Sequence, residues 1–192
     1  KGGTSTTAFE IDVADYEENR HFFLSHYFRQ NYDRAMQTLP NLTTGIKINR
    51  VEVWVTNKTG TTSNTRNIVA FTDLGENNVI KNPMWNATGM QVPGNLANDE
   101  YSTLIANIDS ASRNIDNISA TLEGMQGLTG GVDYEKLAAA RLLSSSEYTV
   151  NTALGYISLK QGIQTDQVLA VAFEYTYGGQ TYQVGEFSTD VT

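Results

Sequence analysis

The sequence predicts an α+β domain, a largely antiparallel β-sheet or β-sandwich of about six to eight strands with two longer helices packed on it. Three observations carry that prediction. Short segments alternate apolar and polar residues, two stretches repeat apolar residues at helical spacing, and the chain closes on a hairpin around Gly178-Gly179. The length, 192 residues and 21.1 kDa, suits one domain. A chain of that size buries about 70% of its unfolded surface, enough for a core without staples.

The elements follow in order. Phe9-Glu10-Ile11-Asp12-Val13 alternates like a half-buried strand. Asp15 with Glu18 three residues on forms a capping-box-like start, with Asp in place of Ser or Thr. It opens a helix expected over about 16–38. The stripe Leu24, Phe28, Tyr32, Ala35, Met36 and Leu39 reads as core rather than as a cofactor contact. Val51, Val53 and Val55 then alternate with Glu52, Trp54 and Thr56. A polar loop from Asn57 to Arg66 leads to Ile68-Val69-Ala70-Phe71, so residues 46–74 are expected as a long hairpin. Residues 75–97 show no period and are expected as a loop pinned by Met84 and Trp85.

Between residues 99 and 125 the apolar spacing is the most regular in the chain: Tyr101, Leu104, Ile108, Ala111, Ile115, Ile118, Leu122 and Met125. Ser102, Asp109, Asp116 and Glu123 line an acidic stripe beside them. A helix packed within the same domain is expected, because an exposed apolar stripe would be a sticky patch. Its Asn and Ser content places a break near Ser110. Gly124, Gly127, Gly130 and Gly131 stop it, and Asp133 caps a short helix expected through about Leu143. Tyr148–Val150 and Tyr156–Leu159 read as strands. In the last hairpin Leu169, Val171, Phe173, Tyr175 and Tyr177 share a face, and Tyr182, Val184 and Phe187 return.

Composition narrows the function classes. Cysteine is absent, which excludes disulfides, thiolate metal sites and cysteine nucleophiles. Residues 1–96 carry nine Lys/Arg against nine Asp/Glu, and residues 97–192 four against twelve, so the second half supplies the whole net charge of −8. Nucleic acid is excluded as a partner by the lack of a basic face, and an anionic bilayer surface is disfavoured for the same reason. No apolar run approaches the roughly 18 residues of a membrane-spanning helix, so direct insertion into a membrane is not expected. The start Lys1-Gly2-Gly3, rather than Met, reads as that of a domain cut from something longer or of a processed product.

No constellation of residues assembles an active site. His21 and His26, the two histidines, stand five apart on the expected helix and point about 140° from each other, so they do not share a metal. Glu17 and Glu18 diverge, and Glu174 stands alone on a strand, so paired-carboxylate hydrolysis has no local signal. Asp73, Glu76, Asn77 and Asn78 offer oxygens that suit Ca²⁺, although a polar hairpin end explains the same residues and is the preferred reading. No cofactor, metal or catalytic residue is expected, and the chain is read as non-enzymatic. The candidate interaction residues are Trp54 and Trp85, which can stack on a sugar if exposed, although burial in a sheet covered on both faces is the preferred reading of Trp54, and the acidic Asp109, Asp116 and Glu123.

Five blocks then point to a family. DYEENRHFFLSHYFRQNYDRAM (15–36), INRVEVWVTN (48–57), RNIVAFTDLGE (66–76), SSSEYTVNTALGYISL (144–159) and QVLAVAFEYTYGGQTYQVGEFS (167–188) resemble the SprA (Sov) family of Bacteroidetes. The blocks cover about half the chain in one order; residues 77–130 match less distinctly. The resemblance implies a type IX secretion and gliding-motility protein of the outer membrane, a giant β-barrel translocon that exports folded cargo. It implies partners in other segments of the parent, a PorV-like shuttle, a plug protein and secreted cargo. The chain is then a single soluble domain, 1–192, excised from that parent. It would lie at the cell envelope, periplasmic or extracellular, with a helical insertion over roughly 97–143. A non-catalytic structural or interaction module is the expected role. The alternative is a glycan-binding β-sandwich of a cell-surface protein.

Overall fold

The structure, a computed structural model, describes residues 17–42 and 44–190; the expected strand at Phe9–Val13 and the capping Asp15 lie outside the described residues. Among the described residues eight strands and three helices follow in the order β1 (His21–Phe23), α1 (His26–Met36), β2 (Ile46–Val55), β3 (Thr65–Phe71), α2 (Glu100–Asn107), α3 (Ile118–Met125), β4 (Tyr134–Leu142), β5 (Tyr148–Asn151), β6 (Tyr156–Leu159), β7 (Leu169–Tyr177) and β8 (Gln180–Val184). Two antiparallel sheets result, one ordered β1-β6-β5 and one ordered β3-β4-β2-β7-β8. The α+β, largely β class predicted from sequence is the class observed, with three short helices in place of two long ones.

The C-terminal hairpin forms as expected. Tyr177 pairs with Gln180 across Gly178 and Gly179, whose φ values of 57° and 79° are left-handed. That is the turn whose twist matches its flanking strands. β7 also pairs with β2 from Ile46↔Tyr177 to Val55↔Leu169, with one irregularity between Ile48 and Arg50. The valines of β2 face the principal core, where Val53 and Val55 meet Phe173 and Tyr175 of β7. The three-stranded sheet and α1 close that core from the other side with Leu24, Phe28, Ile157 and Leu159. Phe28 meets Phe173 and Tyr175 edge-on at 5.9 and 5.7 Å.

Three expectations are corrected and a fourth is met. The helix expected over 16–38 begins only at His26, because His21–Phe23 pairs with β6 as a strand. Phe22 opposes Ile157 there and packs against the principal core, so its burial has period 2 before the period changes at Leu24. The hairpin expected over 46–74 does not form, since β4 lies between β2 and β3. β4 pairs with β3 along its length but with β2 only at Trp54↔Leu142 and Val55↔Arg141.

The helix expected from Asp133 to Leu143 is β4 itself. Its buried residues, Tyr134, Leu137 and Ala140, are spaced by three, which reads as helical in sequence. Two causes combine: Tyr134 and Leu137 are buried on opposite faces of the strand, in different cores, and a β-bulge returns Ala140 to the face of Leu137. Between Arg66↔Ala140 and Ile68↔Leu137 β4 advances three residues while β3 advances two. Ala139 takes the extra place at φ 49°, and its N–H donates to Asn67 Oδ1 at 2.8 Å. Lastly, the helix expected over 99–125 is interrupted from Ile108 to Asn117, around the break foreseen near Ser110. α2 and α3 pack Leu104, Ile118 and Leu122 with Trp85, Leu128 and Tyr134 in a second core against Val69 and Phe71 of β3.

Candidate functional site

β2 is covered on both faces, and this decides what Trp54 can do. Arg50, Glu52 and Trp54 point away from the valine side, and the chain after β8 folds back over them. Gly185, at φ 78°, makes the turn that brings Phe187, 0% exposed, under the Arg50 guanidinium, 3.7 Å from the ring centre. Ser188 donates its N–H to Glu52 Oε2 and its hydroxyl to Glu52 Oε1, both at 2.9 Å. Trp54 Nε1 donates to the same carboxylate at 3.4 Å. Trp54 is 7% exposed and packs with Leu137 and Ala140 in a third core at the β2–β4 seam. Trp85 is 6% exposed in the second core. Both indoles are thus buried, and Trp54 also borders the groove described below. Of the expected loop pins, Trp85 is interior and Met84 is on the surface.

The acidic candidates separate as well. Glu123 lies on α3 and accepts the Tyr134 hydroxyl at 3.0 Å. Asp109 and Asp116 belong to the connection between α2 and α3, so the three do not form one helical stripe. Asp109 closes a turn by accepting the N–H and hydroxyl of Ser112 at 2.7 and 2.6 Å, and these bonds hold its carboxyl below the usual range. All three are exposed.

The α2–α3 arm is fastened to the end of β8 by a group that sequence reading missed. Arg113 grips Glu186 with two bonds, Nη1 to Oε2 at 2.8 Å and Nη2 to Oε1 at 3.1 Å, and Tyr101 donates to Glu186 Oε1 at 3.4 Å. The guanidinium holds the Glu186 carboxyl down, whereas burial pushes the Tyr101 hydroxyl up. Beneath this bridge runs a groove of about 660 Å³. Trp54 of β2, Ile68 and Ala70 of β3, Ala170 and Ala172 of β7, and Ile105 and Ile108 are among the residues that line it. The partners are 73 residues apart in sequence, so no local pattern announces the bridge.

Asp73, Glu76 and Asn77 are interior rather than at a hairpin end. Asp73 Oδ2 accepts the N–H groups of Lys81 and Asn82 at 3.0 and 2.9 Å. Glu76 Oε1 accepts the N–H of His26 at 3.0 Å, capping α1 from fifty residues away while the N-cap Ser25 makes no side-chain cap bond. Asn98, 1% exposed, donates to the carbonyls of Asp73 and Glu76 and accepts the N–H of Glu100. Glu100 is also 1% exposed and its Oε2 has no partner. Burial, with repulsion from Asp73, Asp133 and Asp99, pushes its carboxyl up to about 8. Among the described residues no three His, Asp or Glu side chains are placed to hold a metal ion.

The two histidines stand on different elements, His21 on β1 and His26 at the start of α1. His21 Nε2 meets Glu17 Oε2 at 2.6 Å and its Nδ1 meets Ser158 Oγ at 2.8 Å, a surface arrangement that tethers the turn before β1. Glu174 pairs across the sheet with Arg50, not with another carboxylate. Among the described residues no helix is long and apolar enough to cross a membrane.

No curated protein matches the chain. A family model named SprA_N and described as a motility related/secretion protein matches residues 1–180. With that match running from the first residue through the β7–β8 hairpin turn, the chain belongs to the SprA_N family of motility-related and secretion proteins.

Proposed function

We propose that the chain is a non-catalytic structural and interaction module of a type IX secretion and gliding-motility translocon at the outer membrane. The family match over residues 1–180 is the observation that supports this reading. The fold is compatible with it. Three cores fill the interior, and the carboxylates of the α2–α3 arm, Asp109, Asp116 and Glu123, are left on the surface. In this reading those carboxylates face other segments of the parent, a PorV-like shuttle, a plug protein or cargo.

The test is an in-frame deletion of residues 9–188 from the full-length parent, scored for cargo export and for the amount of parent in the outer membrane. Lost export with normal parent levels supports the proposal. Intact export overturns it. If the deletion prevents assembly of the parent, the triple substitution Asp109→Asn, Asp116→Asn, Glu123→Gln decides. These positions are exposed, so folding is spared, and unchanged export and partner cross-linking would remove the acidic surface from the proposal.

A further inference from the structure

A second recess lies on the far side of the principal core, where α1 passes the joined ends of β2 and β7. Its volume is about 370 Å³, within the roughly 300–1,000 Å³ of small-molecule sites. Tyr27, Asn31, Tyr32 and Arg34 of α1 line it, with Thr44 before β2 and Tyr177 at the end of β7 opposite. Phe28 lies at its inner end, against the core.

The polar groups here have unused bonding capacity. The hydroxyls of Tyr27, Tyr32 and Tyr177 make no hydrogen bond to any described residue. Tyr27 is nonetheless close enough to Tyr177 and Arg34 to feel both electrostatically. Asn31 spends its Nδ2 on the Tyr27 carbonyl at 2.8 Å, which leaves its Oδ1 to accept from a ligand. Thr44 donates to the Ala153 carbonyl at 2.9 Å and accepts the Ile46 N–H at 3.3 Å, which leaves its oxygen one lone pair. Arg34 forms no ion pair among the described residues. Aromatic rings, several hydroxyl-compatible donors and acceptors, and one unpaired guanidinium thus surround a single space.

We infer that this recess binds an acidic sugar residue, a hexuronate. The tyrosine rings take the apolar C–H face of the pyranose, Asn31, Thr44 and the phenols take its hydroxyls, and Arg34 takes the carboxylate. An extended peptide is a poorer occupant because the neighbouring backbone is already paired. Ile46 is laddered to Tyr177, and the Ile48 N–H donates to the Thr152 carbonyl at 2.9 Å. The site is independent of the translocon reading and does not involve Trp54 or Trp85.

Saturation-transfer NMR on the chain with D-glucuronate tests it, with D-glucose and acetate as controls and circular dichroism to verify folding. The expected result is transfer to the glucuronate ring protons and binding weakened on the order of tenfold or more by Arg34→Ala. Tyr177→Phe, which keeps the ring, should weaken binding a few-fold, and Arg34→Ala should erase the preference for glucuronate over glucose. A uronate trimer that competes better than the monomer supports the site and assigns it to polysaccharide; equal competition supports it with a free sugar acid. Three results overturn the inference: no transfer to glucuronate, acetate competing as well as glucuronate, or binding unchanged in both variants.

Discussion

Replacing Glu100 by Gln should stabilise this fold, and by an amount that grows with pH. Glu100 opens α2, is 1% exposed, and has an oxygen with no partner. Its carboxyl is pushed from 4.5 up to about 8, by burial first and by Asp73, Asp133 and Asp99 after it. The folded chain therefore keeps a proton that the unfolded chain releases near 4.5. Between those values the native state binds more protons, so stability falls as pH rises. The contribution is fully favourable below about 4.5 and fully lost above about 8. At about 1.4 kcal/mol per pH unit the separation corresponds to a ceiling of about 5 kcal/mol. Relaxation and water entry bring the expected loss to about 2–4 kcal/mol.

Gln keeps the shape of the neutral acid and cannot ionise, so the variant lacks this loss. Urea denaturation followed by the fluorescence of the two buried tryptophans measures the difference, because unfolding exposes both. The two chains should agree to within about 1 kcal/mol near pH 5 and separate by about 2–4 kcal/mol near pH 9. Glu76, also raised by burial, gives the same sign in both chains and cancels in the comparison. Stability curves that stay parallel from pH 5 to pH 9 would refute the reasoning, since Glu100 would then be solvated or paired in the native state.

Three further outcomes are expected. Gly155 sits at φ +68°, and a Cβ there would lie 2.3 Å from the Phe28 ring, so Gly155→Ala should cost at least about 2 kcal/mol, read as a lowered urea midpoint. Glu52→Ala removes the acceptor for Ser188 and Trp54 and should cost about 2–3 kcal/mol; a red-shifted native tryptophan emission would show that residues 186–189 have lifted off β2. Arg113→Ala breaks a partly exposed pair, so global stability should change by less than about 1 kcal/mol, while limited proteolysis between residues 108 and 117 should accelerate. Unchanged cleavage there would show that the arm is held by its apolar contacts alone.

Local signals were legible wherever burial followed the period of the element. The β7–β8 hairpin is readable because two consecutive glycines supply both left-handed residues of its turn and the flanking alternation is unbroken. The family was readable too, through blocks that run from residue 15 to residue 188. β4 was not readable, because burial on both of its faces and a bulge at Ala139 together give its buried residues a spacing of three. Trp54 was ambiguous for a related reason. Its face of β2 alternates in sequence like a solvated one, and it is buried because Leu137 and Ala140 of the distant β4 pack against it.

The sequence by itself determined the class of the fold, most of its strands, the interruption of the long helical pattern and the family, since each depends on residues near one another in the chain. Tertiary structure alone decided the place of β4 between β2 and β3, the burial of both tryptophans, the Arg113–Glu186 bridge and the capping of α1 by Glu76. These are pairings across fifty residues or more, or burials created by a distant segment. Their free energy comes from desolvation and hydrogen bonding in the folded chain, which leaves no periodicity in the sequence that encodes it.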